Sequence, residues 1–377
     1  MKILDKKELY DILTGCTILG TGGGGLLEEG LKWIDQALEE GKEFRMKSLD
    51  ELDDSDIVIT PYYCGSISPI TEESERKYGH LKVIDTEPVV EVVKVMEKYL
   101  AKNIDGIIST ELGGSNTAAA FLAAAMLDKY IVDADPSGRA VPELQHTTYY
   151  VNNLPITPLA TMNAYGESTV VIDVQNDFRA EDIVRAIAVA SNDSVAVADH
   201  LTTVKELKEA VIPGAITYAH EIGKAYRESI ENNINPSEQV AIKGGGKVVF
   251  TGYVTDFTWD TIDGFTVGTI ILKGECKFKN DILKIWFKNE NIVCWLNEKP
   301  YIGSPDLICT LDSKTGATIT NPYYQINQKV DVIALPAPKQ WTSKRGLEVF
   351  SAKSFGFDIE YDCFLNRINE NGDIIPQ

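Results

Sequence analysis

Fifteen residues from Ile131 to Gln145 (IVDADPSGRAVPELQ) gather unusually dense polar chemistry. Asp133, Asp135 and Glu143 supply carboxylates, Arg139 a guanidinium and Gln145 an amide, directly after the apolar run Tyr130-Ile131-Val132. Carboxylates in such a place can give and take protons. A guanidinium offers a planar fork to a carboxylate or a carbonyl group. Pro136 and Gly138 mark a tight turn between these groups. In an open α/β sheet, ligands bind beyond the carboxyl ends of the strands, where a loop of this kind lies. A solvated loop of Asx turns and one Arg–acid pair would use the same residue types.

Two further stretches strengthen the ligand reading. Gly20-Thr21-Gly22-Gly23-Gly24-Gly25 places four consecutive glycines just before a helix. Such a run costs backbone entropy unless the chain needs positive φ or a close approach. The free N–H groups of the following helix, with the amides of Gly22, Gly23, Gly24 and Gly25, suit an anion or an oxyanion. No Lys-Ser/Thr ending makes this a P-loop, and no strand precedes it as in a dinucleotide fingerprint. A helix–helix corner too tight for side chains would also demand glycine. Glu111-Leu112-Gly113-Gly114-Ser115-Asn116 repeats the theme after a second apolar run, DGIIST. Ser115 or Asn116 can cap the next helix, whereas Glu111 at the end of a buried strand is a natural base or ligand hook.

The remaining candidates have plainer explanations. Cys64 before Gly65 reads as a small buried thiol more readily than as a nucleophile. Of the four histidines, His80 lies in a polar segment, His200 follows Asp199 near a strand end, and His220 lies on an amphipathic helix. His146 alone adjoins the acid cluster, which makes it an acid/base or metal candidate. Asn289-Glu290-Asn291 reads first as a β-turn, and Pro305-Asp306 as a turn that can also aim Asp306 at the other domain.

The elements that must position these groups follow from periodicity. Helical spacing predicts helices over Lys6 to Ile18, Leu26 to a stop at Gly41, Pro88 to Ala101, Thr117 to Leu127, Ala180 to Ala190 and Gly214 to Asn232. Short apolar runs predict strands at Asp56 to Pro61, Asp105 to Thr110, Tyr130 to Val132, Tyr149 to Val151, Thr169 to Val174 and Ser194 to Val197. Cys64 to Ser68, followed by Pro69, reads as a turn. Strand, loop and helix in alternation imply a parallel sheet with crossover helices. After Asn235-Pro236 the character changes to alternating β-branched and aromatic runs (KVVFTGYVTDFTWD, FTVGTIILKG, ILKIWFKNENIVCWLN), so this part is mostly antiparallel. Val330 to Leu335 and Asp358 to Tyr361 add strands, and Leu311 to Gly316 a hairpin turn. The expected organisation is an N-terminal α/β domain over 1–165 and an α+β domain over 166–377, β-rich after about 240.

Composition bounds the function. The 377 residues are 44% apolar and carry a net charge of -20, from 36 Lys and Arg against 56 Asp and Glu. Nucleic acid and anionic membranes call for a basic footprint, so neither is an expected partner. The apolar run from Thr117 to Leu127 is too short to span a bilayer, and the first residues show no secretory pattern, so a cytoplasmic location is expected. Six cysteines without a CxxC pair read as free thiols.

In their order, the motifs GTGGGG, ELGGSN, DAD, GRA with PELQ, NEN and SPDLIC resemble those of the S-methyl-thiohydantoin desulfurase domain family. The resemblance covers nearly the whole chain. It departs at Pro136-Ser137, where the family usually has Gly-Met, and at His146, where it usually has an apolar residue. It implies an N-terminal α/β domain, a β-rich C-terminal portion, and a companion relation to hydantoinase/oxoprolinase proteins. The implied reaction is hydrolysis of a five-membered cyclic thioimidate: water attacks the carbon between the two nitrogens, a thiol leaves, and a hydantoin remains. On this reading Asp133 or Asp135 is the base, Glu111 orients the ring N–H groups, and Glu143 is a further catalytic carboxylate. Gly22 to Gly25, Arg139, Gln145, Asn116 and Asp306 would bind the substrate. Two alternatives stand beside it. One is a non-catalytic ligand-binding or regulatory subunit of a hydantoinase/oxoprolinase-type enzyme. The other is a metal-dependent hydrolase holding zinc or manganese on Asp133, Asp135 and His146, with Glu111 as a further ligand. The expected assembly is a homo-oligomer.

Overall fold

Alternation along the strand Ser194–Thr203 shows how the larger sheet is buried on both faces. Val195 and Val197 join one apolar cluster with Tyr62, Cys64, Ala180 and Val184, while Ala196 and Ala198 join another with Leu9, Phe121 and Val92. Successive side chains of a strand point to opposite faces, so helix Asp177–Ala190 covers one side and helices Pro88–Leu100 and Asn116–Met126 the other. The computed structural model describes residues 1–65 and 72–377.

Among the described residues this sheet has eight strands, in the order Lys2–Leu4, Phe44–Lys47, Tyr130–Val132, Gly106–Ile107, Ile57–Gly65, Ser194–Thr203, Leu159–Met162, Ser168–Val171. The four from Phe44–Lys47 to Ile57–Gly65 run parallel, and the flanking strands pair antiparallel. Strand Ser194–Thr203, from beyond position 165, is thus hydrogen-bonded into the sheet of the N-terminal part. A seven-stranded antiparallel sheet follows, in the order Lys299–Gly303, Glu290–Leu296, Ile282–Lys288, Phe265–Gly274, Lys247–Ile262, Lys329–Leu335, Leu307–Asp312. The fold is therefore a mixed α/β unit with parallel pairing plus a β-rich C-terminal sheet.

Helix Lys6–Leu19 begins in a capping box: Glu8 N donates to Asp5 Oδ1 at 2.8 Å, and Asp5 N to Glu8 Oε2 at 3.0 Å. Its glycine face meets helix Ala215–Glu231 at close quarters. A Cβ on Gly15 would lie 1.8 Å from Ala219 O, and one on Gly223 would lie 1.7 Å from Asp11 O. Two helices from opposite halves of the chain therefore touch backbone to backbone. Leu307, Ile333 and Leu335 of the second sheet share the same core as Leu9, Phe44 and Phe121.

Four expectations change. Tyr149 to Val151 is a short helix, Thr148–Val151, whose start is capped by Thr147 Oγ1 accepting from Tyr150 N at 3.2 Å. A local hydroxyl cap outweighs the β preference of Tyr-Tyr-Val. Asp358 to Tyr361 forms no strand, because Tyr361 is tied individually, donating its hydroxyl to Asp306 Oδ1 at 2.9 Å. Strand pairing in Asp105 to Thr110 is confined to Gly106–Ile107. Of the turn expected at Cys64 to Ser68, Cys64 and Gly65 continue the strand Ile57–Gly65, and the rest, with Pro69, lies outside the described residues.

Candidate functional site

Where the parallel strands end, the glycine-rich loop, the segment after strand Gly106–Ile107 and the start of strand Glu290–Leu296 enclose a cavity of about 400 Å³. That is ample for a five-membered ring with a substituent. Glu111 and Glu290 reach it from the two halves of the molecule, and Gly23, Gly24, Gly25, Asn116, Glu143, Tyr62, Asp199 and His200 also line it.

Glu111 sits in the left-handed region at φ 53°, a conformation that a non-glycine residue holds only when its surroundings compel it. Its Oε1 accepts from Asn116 Nδ2, and its Oε2 accepts from Val141 N at 3.0 Å. Asn116 is itself clamped to Tyr63, accepting from its N–H at 2.9 Å and donating to its carbonyl at 3.2 Å. Burial pushes the Glu111 carboxyl up to about 7 in spite of its donors. Glu290 is 2% exposed, and its Oε2 has no protein partner. Burial, and after it the nearby Glu111, hold the Glu290 carboxyl well above the ordinary carboxylate range. The cavity therefore holds two carboxyls that burial biases toward their protonated forms, Glu111 to about 7. Raised carboxyls of this kind serve acid/base chemistry.

The glycines are explained mainly by close approach to other parts of the protein. A Cβ on Gly23 would lie 1.9 Å from Glu290 Oε1, one on Gly24 2.5 Å from Gly113 Cα, and one on Gly25 1.6 Å from Ser115 Oγ. Gly22, outside the cavity lining, packs on Asn321. Gly24 O accepts from both Ser115 N and Asn116 N, at 3.1 and 3.2 Å. The loop thus joins the ELGGSN segment to the carboxylate of Glu290.

A second cluster lies on the Ser194–Thr203 strand. Thr202 pairs with Val58 and Asp199 with Thr60, so the strand carries one extra residue there, a bulge. His200 occupies it at φ 43°. Bulges beside active sites re-aim side chains. Asp199 Oδ1 lies 2.8 Å from His200 Nδ1, and Asp199 Oδ2 accepts from the Tyr62 hydroxyl at 2.7 Å. The imidazole stacks on Tyr149 at 4.3 Å between ring centroids. Its Nε2 has no hydrogen-bond partner; Asp177 Oδ2 is 3.9 Å away. Elsewhere in the lining, Arg185 pairs with Glu181 at 2.8 Å, and Trp33 stacks on Tyr63. Burial raises the Cys64 thiol to about 12, so it offers no thiolate near neutrality.

The residues singled out from the sequence divide sharply. Glu111, Asn116, Glu143 and Gly23 to Gly25 meet at the cavity. Glu143 forms an ion pair with Lys288 and accepts from Gln145 Nε2 at 2.6 Å, which places Gln145 one step behind the lining. Asp133 accepts from the N–H and hydroxyl of Thr217, at 2.9 and 2.5 Å, in the first turn of helix Ala215–Glu231. Asp135 is fully buried, with Oδ1 accepting from Ser137 N at 2.7 Å and Gly138 N at 2.6 Å. Burial raises its carboxyl to about 8. Arg139, also fully buried, donates to Thr21 Oγ1 at 2.8 Å, Asn291 O at 3.0 Å and Asp306 O at 3.2 Å, and lies over the Phe350 ring at 4.9 Å. Asp306 accepts from Ala337 N, Tyr361 and Phe364 N. These four, outside the lining, hold segments together. His146 is enclosed by Phe350 and Phe355, and burial lowers it to about 4. Among the described residues, no three of His, Cys, Asp and Glu are arranged to hold a metal ion.

Glu290, Asp199, His200 and Tyr62 were not among the sequence-derived site residues. Asn289-Glu290-Asn291 is indeed a turn into a strand, with Asn289 at φ 55°, and turn chemistry masks the carboxylate. An adjacent Asp-His pair at a strand end was the only linear trace of the second cluster.

A two-domain α/β protein with carboxylates converging on a glycine-loop cavity is the class these features define. Residues 7–173 match the S-Me-THD-like N-terminal domain and residues 175–364 the S-Me-THD-like C-terminal domain, so the chain belongs to that family. The fold is shared with a crystal structure of a protein from Chromobacterium violaceum, with a TM-score of 0.77 at 19% identity over 96% of this chain and 100% of that one. Comparison with curated proteins gives no match.

Proposed function

We propose that this protein hydrolyses a small cyclic thioimidate of the S-methyl-thiohydantoin type, releasing a thiol and leaving a hydantoin. The observation that carries this reading is the pairing of Glu111 with Glu290 in one ring-sized cavity. Glu290, whose carboxyl burial biases toward the protonated form, donates to the ring nitrogen that gains electron density when water adds to the carbon between the nitrogens. Glu111, as carboxylate, accepts the other ring N–H and fixes the ring plane. Arg185 is a cation in the lining and suits a carbonyl or carboxylate on the substituent. Family membership supports the substrate class.

The test is thiol release from 5-substituted S-methyl-thiohydantoins by the purified chain, with the hydantoin product measured separately. Glu111→Gln and Glu290→Gln should each lower kcat/KM by about 10² to 10⁴, the range for removal of an acid or base. Wild-type kcat/KM should rise with pH through about 7 as Glu111 loses its proton. Full activity in both variants would sink the assignment. An accessory role beside a hydantoinase/oxoprolinase-type enzyme predicts no turnover by the isolated chain.

A further inference from the structure

Adding water to the ring carbon releases a proton that neither Glu290, the donor to the ring nitrogen in the reading above, nor Glu111, engaged with the ring N–H, is free to take. Asp133 and Asp135 are committed to Thr217 and to Ser137 and Gly138. We infer that Asp199 and His200 form the proton-transferring dyad of this reaction, an inference that rests on the hydrolytic reading above.

Three independent features carry it. His200 lines the cavity and is 2% exposed, yet its Nε2 has no hydrogen-bond partner. Buried polar atoms are rarely left so without a role. Asp199 accepts at Nδ1, 2.8 Å away, and is oriented through its second oxygen by Tyr62 at 2.7 Å. A carboxylate at Nδ1 fixes the tautomer so that Nε2 presents its lone pair, the arrangement of a general base. Finally, the backbone is distorted at this one residue: the bulge and the φ of 43° both fall on His200, and local strain of this kind gathers at functional sites.

The steps balance without any further reactant. Water oxygen bonds to the ring carbon while one of its protons passes to His200 Nε2. The C=N electron pair moves to nitrogen, which takes the Glu290 proton. The C–S bond then breaks with its electron pair on sulfur, and the His200 imidazolium protonates the departing thiolate. The remaining hydroxyl proton of the intermediate returns to Glu290 as the carbonyl forms. His200, Glu290 and Glu111 all end as they began.

Three variants test the dyad. His200→Gln keeps polar atoms in place but cannot exchange protons. Asp199→Asn donates toward Nδ1 and forces the proton onto Nε2. His200→Gly accepts the left-handed backbone without strain. The first two should lower kcat by about 10² to 10⁴ with KM changed little, and added imidazole should restore part of the turnover of His200→Gly. The rival role is a structural ion pair of His200 between Asp177 and Asp199. It predicts a fall in Tm, no rescue by imidazole and kcat within tenfold of wild type for His200→Gln, any of the last two of which overturns the dyad. A wild type that releases no thiol overturns the hydrolytic reading and this inference with it; an active wild type with unaffected His200 variants overturns the inference alone.

Discussion

Asp135 shows how a single carboxylate can be prominent in sequence and yet act on the fold. It caps the turn at Ser137 and Gly138 from full burial, with its second oxygen unpartnered. Burial holds its pKa at about 8, against about 4 for an unfolded aspartate. Folding therefore takes up a proton between those values, and the stability this contributes is present below about pH 4 and lost as the pH rises through about 8. Glu111, raised to about 7, acts in the same direction. Tm should accordingly fall between pH 6 and pH 9. Asp135→Asn retains an acceptor for the two N–H groups without the titration, so its Tm should fall less over that range. Parallel Tm-against-pH curves for the two proteins would remove Asp135 from this account.

Among the elements, the helix pair Lys6–Leu19 and Ala215–Glu231 depends on glycine in a way that can be measured. With only 1.7 Å between a Cβ at position 223 and Asp11 O, Gly223→Ala must push the helices apart, although alanine is the better helix former. Overpacking of this sort costs about 1–3 kcal/mol, while propensity returns at most about 1 kcal/mol. Chemical denaturation should show a net loss. An unchanged or raised midpoint would mean that the helices are free to separate. The bulge at His200 is the other device at this scale. One extra residue in the strand falls at His200, which lines the cavity together with its neighbour Asp199.

For the whole molecule, the question is whether two family domains unfold as two units. One apolar cluster includes Leu9, Phe44 and Phe121 together with Leu307, Ile333 and Leu335. Arg139 adds a polar tie, reaching from the segment after strand Tyr130–Val132 to Thr21, Asn291 and Asp306. Calorimetry should therefore give a single transition. Arg139→Lys, which loses the fork and leaves buried carbonyls unmatched, should lower stability by about 2–4 kcal/mol. Two resolved transitions in the wild type, or a Lys variant of unchanged stability, would contradict this account of the junction.

Much of the architecture was legible from the residues alone. Period and capping signals place most helices and strands to within a few residues, because those signals act between near neighbours. Composition separates the β-rich end for the same reason. The family was legible too, since ordered glycine and acid motifs survive as linear patterns. The exceptions are instructive: Tyr149 to Val151 became helix through a single threonine cap, and Asp358 to Tyr361 was claimed by Asp306 from a distant turn. For the site, Glu111, Asn116 and the glycine loop could be read because a carboxylate beside clustered glycines is already anomalous locally. Which carboxylate opposes Glu111 was decided only in three dimensions, since Glu290 reaches Gly23 across 267 positions of sequence. Position relative to the cavity, which Asp133, Asp135 and Arg139 do not line and the equally buried Glu290, Asp199 and His200 do, is a property of packing between distant segments. Residue order sets the chemistry available; tertiary contact settles which groups are desolvated together, and so which of them can do it.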